Sequence, residues 1–492
     1  MKRFGAGEEY LRVRVIVFAT ATVFAVNSAA AAAPKTYLGS VYPAAAQQPQ
    51  YVSERAPLPR EAVVDAAAPP LAEFDELIAG AIARHPLLGA DQSGVAIARA
   101  QARAARAALY PRLSASIDAD YVIDRQFQSS TPNVTESLRP DGQVNAGLTA
   151  SQLVFDGGAA FARIRGARAQ TLESERTIEA RINDLALNAL SAYHDAAVHQ
   201  GLLELVAEHV ARHERLVANM KERERLGAGA RADILRAEAR LSAARARAAD
   251  ITESARAADI RYLEFFGAPP PALAFPDYAP LNLASRDDAI ALALTRNPVL
   301  SAALARTDSI RAEIGAAKAS RLPEIRASVS SVSFDVFNGA DDYDVRAGVN
   351  LNYDLFAGGA RGAAIARARA AAKRQEREED LVRREIERDA AIAFERQLTA
   401  NARLDALEAA LAANREARDL VTERFRAARG GLIDVIEAEN DWFEAGVRQL
   451  SGRADRDMAT YALMEFTGDL LRRFSPRDED ARASGTQAGG TP

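Results

Sequence analysis

Apolar residues recur on a four-three spacing from Ile178 through Ile182, Leu185, Ala189, Ala192, Ala196, His199, Leu203, Val206, Val210, His213 and Val217 to Met220. That is the seam of a helix packed along its length on other helices. No proline interrupts residues 159–226, so the spacing predicts one helix over the whole run. At 1.5 Å per residue it would be about 100 Å long and needs partners of matching length. Adding 201 to the seam positions from Ala189 onward gives Ala390, Ala393, Gln397, Ala400, Leu404, Leu407, Leu411, Asn414, Arg418 and Val421, mostly apolar in the same register. The chain therefore predicts two long helices of one design.

The flanking segments repeat as well. Pro86 is echoed by Pro298 and Pro111 by Pro323, 212 residues on, whereas the glycine pairs Gly157, Gly158 and Gly358, Gly359, and Asp233 and Asp434, are 201 apart. The offset drops by 11 between Pro111 and Gly157, so the first copy carries eleven extra residues there, in an exposed loop. Each copy opens with a helix (74–109; 285–321) that stops at a proline. The period then becomes two. Leu113, Ala115, Ile117, Ala119, Tyr121 and Ile123 alternate with polar residues, and Val144, Ala146, Leu148 and Ala150 return. In the second copy a weaker strand over 325–336 precedes the alternation of Val345, Ala347, Val349, Leu351, Tyr353 and Leu355. This predicts four strands in two hairpins, at about 112–125, 143–155, 324–337 and 343–356.

Each strand has the roughly 10 residues that cross a bilayer when tilted, with one apolar and one polar face. Unpaired edges are not tolerated in lipid, and the smallest closed barrels have about eight strands, so several chains must share one barrel. After each hairpin come the long helix, a glycine-containing turn and a helix of half the length. The short helices before and after the long one sum to about its length and can accompany it end to end.

Composition narrows the classes. Lys and Arg number 62 against 67 Asp and Glu, interspersed, with a formal net charge of −5. No basic face for nucleic acid is implied. The absence of cysteine excludes disulfides, thiolate metal sites, thiol catalysis and a lipidated amino-terminal cysteine. Lys2, Arg3, Arg12 and Arg14 before an apolar run to Val26 and alanines to Ala33 read as a signal peptide over 1–33. The Pro- and Ala-rich stretch 34–70 reads as a disordered linker, 71–267 and 285–474 as the two structural repeats, 268–284 as the link between them and 475–492 as a disordered tail.

Enzyme-like features weigh little. The run 227–232 (GAGARA) follows a helix instead of a strand and reads as a helix-helix turn. His209 and His213 are spaced to share a metal but have no acidic third ligand at motif spacing and no echo in Ala410 and Asn414. His199 lies on the seam as a satisfied or pore-facing residue. Asp341 and Asp342 fall in a hairpin turn. No catalytic, cofactor or metal site is expected.

The duplicated order, the strand-ending stretches 153–158 (LVFDGG) and 355–359 (LFAGG), and the helix-tip glycines and carboxylates around Asp233 and Asp434 resemble the TolC-like outer-membrane factors over about 71–473. The lack of cysteine resembles the unlipidated branch that serves type I secretion and some drug efflux. The resemblance implies a mainly α fold with a transmembrane β-barrel contribution. A homotrimer would form a twelve-stranded barrel in outer-membrane lipid above a long periplasmic helical barrel. It further implies a passive duct opened by an inner-membrane transporter of ABC or RND type and a periplasmic adaptor. Gly157, Gly158, Gly358 and Gly359 would be strand-to-helix junctions; Gly227, Gly229, Gly430 and Gly431 would be tip turns; Asp434 and Glu437 would line the periplasmic entrance. The family pattern places a tyrosine and a basic residue where this chain has Phe425 and Gly430, so the resemblance does not carry over the polar lock to Asp233, for which the adjacent Arg429 could substitute. Two other readings use the same helices: a periplasmic adaptor with a small soluble β-domain, and a coiled-coil scaffold.

Overall fold

The computed structural model describes residues 70–124, 141–227, 229–276, 281–337, 342–427 and 429–474. The expected signal peptide, the linker up to residue 69, Asp341 and the tail at 475–492 lie outside the described residues.

The long helices span 67 residues each, α3 (Ala159–Arg225) and α7 (Ala360–Arg426). Each is followed by a 36-residue helix, α4 (Arg231–Phe266) and α8 (Leu432–Thr467). The single helix expected before each hairpin is two. The first copy has α1 (Leu71–Arg84) and α2 (Pro86–Ala107), the second α5 (Arg286–Arg296) and α6 (Pro298–Ala319). The break has a local cause. Proline restricts the residue before it to extended backbone, and His85 and Asn297 sit at ψ 129° and 123°. From there their side chains accept hydrogen bonds from the backbone N–H of Leu87 and Val299, capping the next helix. A short α9 (Asp469–Phe474) ends the described chain.

The strands are β1 (Arg112–Tyr121), β2 (Gly142–Phe155), β3 (Glu324–Ser333) and β4 (Tyr343–Asn352), antiparallel in the order β1-β2-β3-β4. Three of them are shorter than their alternation predicts. The β1–β2 connection runs 122–141 and the β3–β4 connection 334–342, so the eleven extra residues belong to the first hairpin; 125–140 lie outside the described residues.

The register explains the alternation. Across the sheet Leu113 faces Ala150, Ala150 faces Val329 and Val329 faces Ala347; one step on, Ala115, Leu148, Ser331 and Val345 are in line. The rows between hold Ser114, Thr149, Ser330 and Arg346. Side chains in one such row share a face, so one face is largely apolar and the other polar. Among the described residues no helix covers the apolar face: Ile117 is 74% exposed and Val349 74%. β1 and β4 leave two open edges.

Below the sheet the helices stand four abreast. Near the strands the order is α2, α3, α6, α7, and toward the far end α4, α3, α8, α7. The long helices therefore differ more than their shared seam suggests. α3 is flanked on both sides and buries a broad belt from Ile182 to Val198, including Asn183, Ala186, Leu190 and Tyr193 off the seam. α7 stands at the edge and buries a narrow stripe that includes Gln397 and Arg418. Small residues set the spacing: a Cβ on Gly446 of α8 would stand 2.7 Å from Leu205, and one on Gly452 2.6 Å from Leu407. A core of Phe74, Tyr193, Tyr262, Tyr461 and Phe474 closes the middle of the wall; each such side chain, fully buried, contributes about 1.5–3 kcal/mol. The link between the copies belongs to this core. Leu273 is buried, Tyr193 donates its hydroxyl hydrogen to the Ala274 carbonyl (2.9 Å), and Gln200 brackets the segment through Pro271 and Leu273.

Candidate functional site

Three places carry the residues singled out from the sequence: the helix tips, the strand-to-helix junctions and the polar layer inside the wall.

At the tips α3 turns into α4 and α7 into α8. Gly227 has φ +72°, a left-handed conformation that glycine adopts without strain. Gly229 and Gly430, 201 apart, answer a different need. A Cβ on Gly229 would stand 2.9 Å from the Glu224 nitrogen and one on Gly430 3.3 Å from the Phe425 nitrogen, so the returning chain lies against the last helical turn in both copies. Gly431 is the N-cap of α8, with φ −83°, and the Asp434 carboxylate accepts its N–H at 3.1 Å. Asp434 and Glu437 are exposed, three residues apart and hence on one face. Asp233 faces Arg236 of its own turn at 3.8 Å, and the Arg429 N–H donates to the Arg424 carbonyl.

The side-chain partner of Phe425 is a residue not singled out beforehand. Its ring is buried in the tip core with Leu216, Met220, Ile234 and Val435. Arg223 of α3 lies over that ring at 4.3 Å and donates to the Phe425 carbonyl at 2.9 Å. The ends of the two long helices are thus tied together within one chain by a guanidinium on an aromatic face.

At the junctions Gly157, Gly158, Gly358 and Gly359 all have φ between +56° and +86°. Asp156 accepts from the N–H groups of Gly158 and Ala160, satisfying the start of α3, where acid also suits the helix dipole. The second copy has Ala357 there; its nearby acid, Asp354, pairs with Arg361 at 3.1 Å. Gly157 is the tightest of the four, since a Cβ would meet the Ala319 carbonyl at 2.8 Å.

The polar layer lies between α3, α7 and α8. His209 stacks on Phe443 and meets His213 edge-on, ring centroids 4.5 Å apart. Burial, with His213 and Arg212 nearby, lowers His209 to about 4; burial and Arg240 lower His213. Alongside, Arg212 and Arg418 lie over Trp442, and burial raises Glu439 despite both arginines. Higher up, His194 of α3 and Asp457 of α8 are buried together at 3.3 Å, with Arg456 on the other carboxylate oxygen. The available signal was Asp457 itself, a charged residue on the stripe of Thr460, Tyr461 and Met464. His199 pairs with Asp195, which raises it.

The three places thus hold buried and exposed charged groups along one wall of helices. A family model described as outer membrane efflux protein matches residues 77–264 and 289–469. Protein CyaE of Bordetella pertussis is 29% identical over 421 residues, covering 82% of this chain and 86% of CyaE. Alkaline protease secretion protein AprF of Pseudomonas aeruginosa is 28% identical over 392 residues, covering 74% of this chain and 78% of AprF. In fold, the chain is similar to the outer membrane protein VceC from Vibrio cholerae, with a TM-score of 0.70 at 19% identity over 81% of this chain and 96% of VceC.

Proposed function

This chain belongs to the outer membrane efflux protein family and is an outer-membrane exit duct with its helices in the periplasm, and from that premise we propose how it is assembled and driven. Three copies close their sheets into one barrel and their helix walls into one tunnel. The tunnel docks on a periplasmic adaptor and an inner-membrane transporter of ABC or RND type, because a passive duct has no energy source of its own. The observation that carries the reading is the sheet: an uncovered apolar face, a polar face and two open edges. In lipid such edges must pair, and neighbouring copies supply the partners. The names of the family and of AprF offer efflux and protein secretion as cargo classes. Deleting the gene and comparing secreted proteins with drug susceptibility separates the two.

The absence of cysteine makes the assembly directly testable. Ser114 of β1 and Gly348 of β4 sit on opposite edge strands. Within one sheet, three strand spacings of about 4.8 Å separate them, beyond the roughly 7 Å limit of a disulfide. Cysteines placed at edge positions of β1 and β4 must therefore cross-link different copies. Oxidation of outer membranes should give a ladder that ends at three chains; a ladder ending at two, or running past three, overturns the trimer.

At the tips, we infer that Asp434 and Glu437, repeated in each copy, form a carboxylate ring at the periplasmic entrance that favours cations. Arg236 stands where the first copy would need a second acid, so the ring belongs to the second copy.

A further inference from the structure

Four stretches scattered over the sequence, 92–117, 157–172, 314–323 and 355–375, carry fourteen Lys or Arg and no Asp or Glu, in a chain whose formal net charge is −5. The fold brings them to the sheet end of the wall, where Asp156, Glu324 and Asp354 share one cavity with Arg112, Arg163 and Arg361 on the polar side. The stretches are the end of α2 with the start of β1, the start of α3, the end of α6 and the start of α7, the helical turns that adjoin the sheet. Three of the fourteen reach carboxylates outside these stretches: Arg99 to Glu175, Arg361 to Asp354 and Arg374 to Glu378. The other eleven have no ionic partner among the described residues. Farther from the sheet arginines pair within the wall, as in Arg212 with Glu208, Arg245 with Glu214 and Arg403 with Asp455. A band of like charge repels itself unless counter-charge is supplied from outside.

Which side the charges face follows from the register. A cavity of about 430 Å³ is lined by Arg163 and Ala316 together with Arg112, Ser151 and Arg326, the last three from the polar rows of the sheet. Arg163 and Ala316 are therefore on the polar side. Two residues on, a turn of about 200°, Arg165 and Lys318 leave on the opposite side, where the Arg165 guanidinium lies against Gly315 of α6. Arg168 follows within a turn. That side continues the apolar face of the sheet. Phe161 is 59% exposed there, and Leu355 and Phe356, at the foot of β4, 89% each.

We propose that Arg165, Arg168 and Lys318 form a collar that binds the phosphates of anionic phospholipids in the periplasmic leaflet. Exposed aromatic and apolar side chains mark the edge of the hydrocarbon, and basic side chains one or two turns beyond lie at headgroup depth, with apolar stems against the acyl chains. Their attraction to anionic lipid adds residue by residue and is screened by salt. The collar is distinct from Arg112 and Arg163, which face the polar side. It rests on the outer-membrane reading, and the test keeps the two apart.

The full-length protein is inserted into vesicles of equal phosphatidylcholine and phosphatidylglycerol and extracted into mild detergent, and the lipid retained per chain is quantified. Insertion itself reports the outer-membrane reading. The ratio of the two lipids reports the collar. The parent should retain phosphatidylglycerol several-fold over phosphatidylcholine, and high salt during extraction should abolish the preference. The combined variant Arg165→Gln, Arg168→Gln, Lys318→Gln should insert and lose the preference. Arg165→Lys with Arg168→Lys, which keeps the charge, should retain it, as should Arg112→Gln with Arg163→Gln. An inserted parent without preference, a triple Gln variant that keeps it, or its loss on changing Arg112 and Arg163 would each overturn the collar, the last by assigning the bound anion to the lumen.

Discussion

The imidazole of His209 on α3 lies on the ring of Phe443 on α8, centroids 4.4 Å apart and planes 20° from parallel. Burial inside the helix wall, with His213 and Arg212 beside it, favours the uncharged ring, so the packing of α3 on α8 is sensitive to protons.

The sign follows from the populations. His209 is held down to about 4 and His213 is also lowered, whereas both return to about 6.5 on unfolding. Below about 6.5 the unfolded chain binds more protons at both residues, so they cost stability as the pH falls, His209 until about 4, and cost nothing above that window. Glu465, raised to about 7 by burial and Asp184, acts oppositely: its unfolded value is 4.5, so stability is lost as the pH rises from 4.5 to 7. Thermal melts followed by circular dichroism should show the loss on acidification reduced in His209→Gln and enlarged in Glu465→Gln. Profiles superimposable on the parent's would remove both groups from the pH response.

At the entrance, capping and ion attraction can be separated. Asp434 accepts the N–H of the N-cap Gly431 from the first turn of α8, so Asp434→Ala should cost about 0.3–1 kcal/mol in addition to any effect on ions. Glu437 makes no such cap, and Glu437→Gln should leave the melting temperature unchanged while lowering cation selectivity in planar bilayers. If that variant conducts like the parent, the entrance ring is not built from Glu437.

The tie between Arg223 and Phe425 predicts a looser tip when it is cut. Phe425→Ala should cost about 3–5 kcal/mol, the usual effect of emptying a buried aromatic site. Arg223→Gln, which leaves the ring in place, should cost less and raise hydrogen exchange near residues 220–226 and 423–427, with the middle of the wall unchanged. Uniform exchange throughout would show that Arg223 does not hold the tip.

Packing between α8 and α3 gives a steric prediction. Gly446→Ala should be tolerated, because the atom it meets is the flexible end of Leu205. Gly446→Val should cost about 1–3 kcal/mol by overpacking. Equal melting temperatures for the two would place the helices farther apart than Gly446 and Leu205 stand.

The sequence by itself determined the long helices, the four strands and the duplication, because each is a local period: an apolar seam without proline, an alternation of two, an echo at a fixed offset. It also marked the glycines at both ends of the long helices. The split at His85 and Asn297 was legible too, in the prolines that follow them, but a continuous apolar pattern masked it. The tertiary structure alone decided what depends on pairing distant segments. The pairing of β2 with β3 joins the two copies into one sheet and aligns their apolar rows. Neighbours on both sides turn α3 into a buried helix, while the same seam leaves α7 at an edge. His194 meets Asp457 across 263 residues, and fourteen basic residues from four stretches gather at the sheet end of the wall. Periodicity reports which face of an element is apolar; which element covers that face, and which charges then lie side by side, is set by contacts that no local pattern encodes.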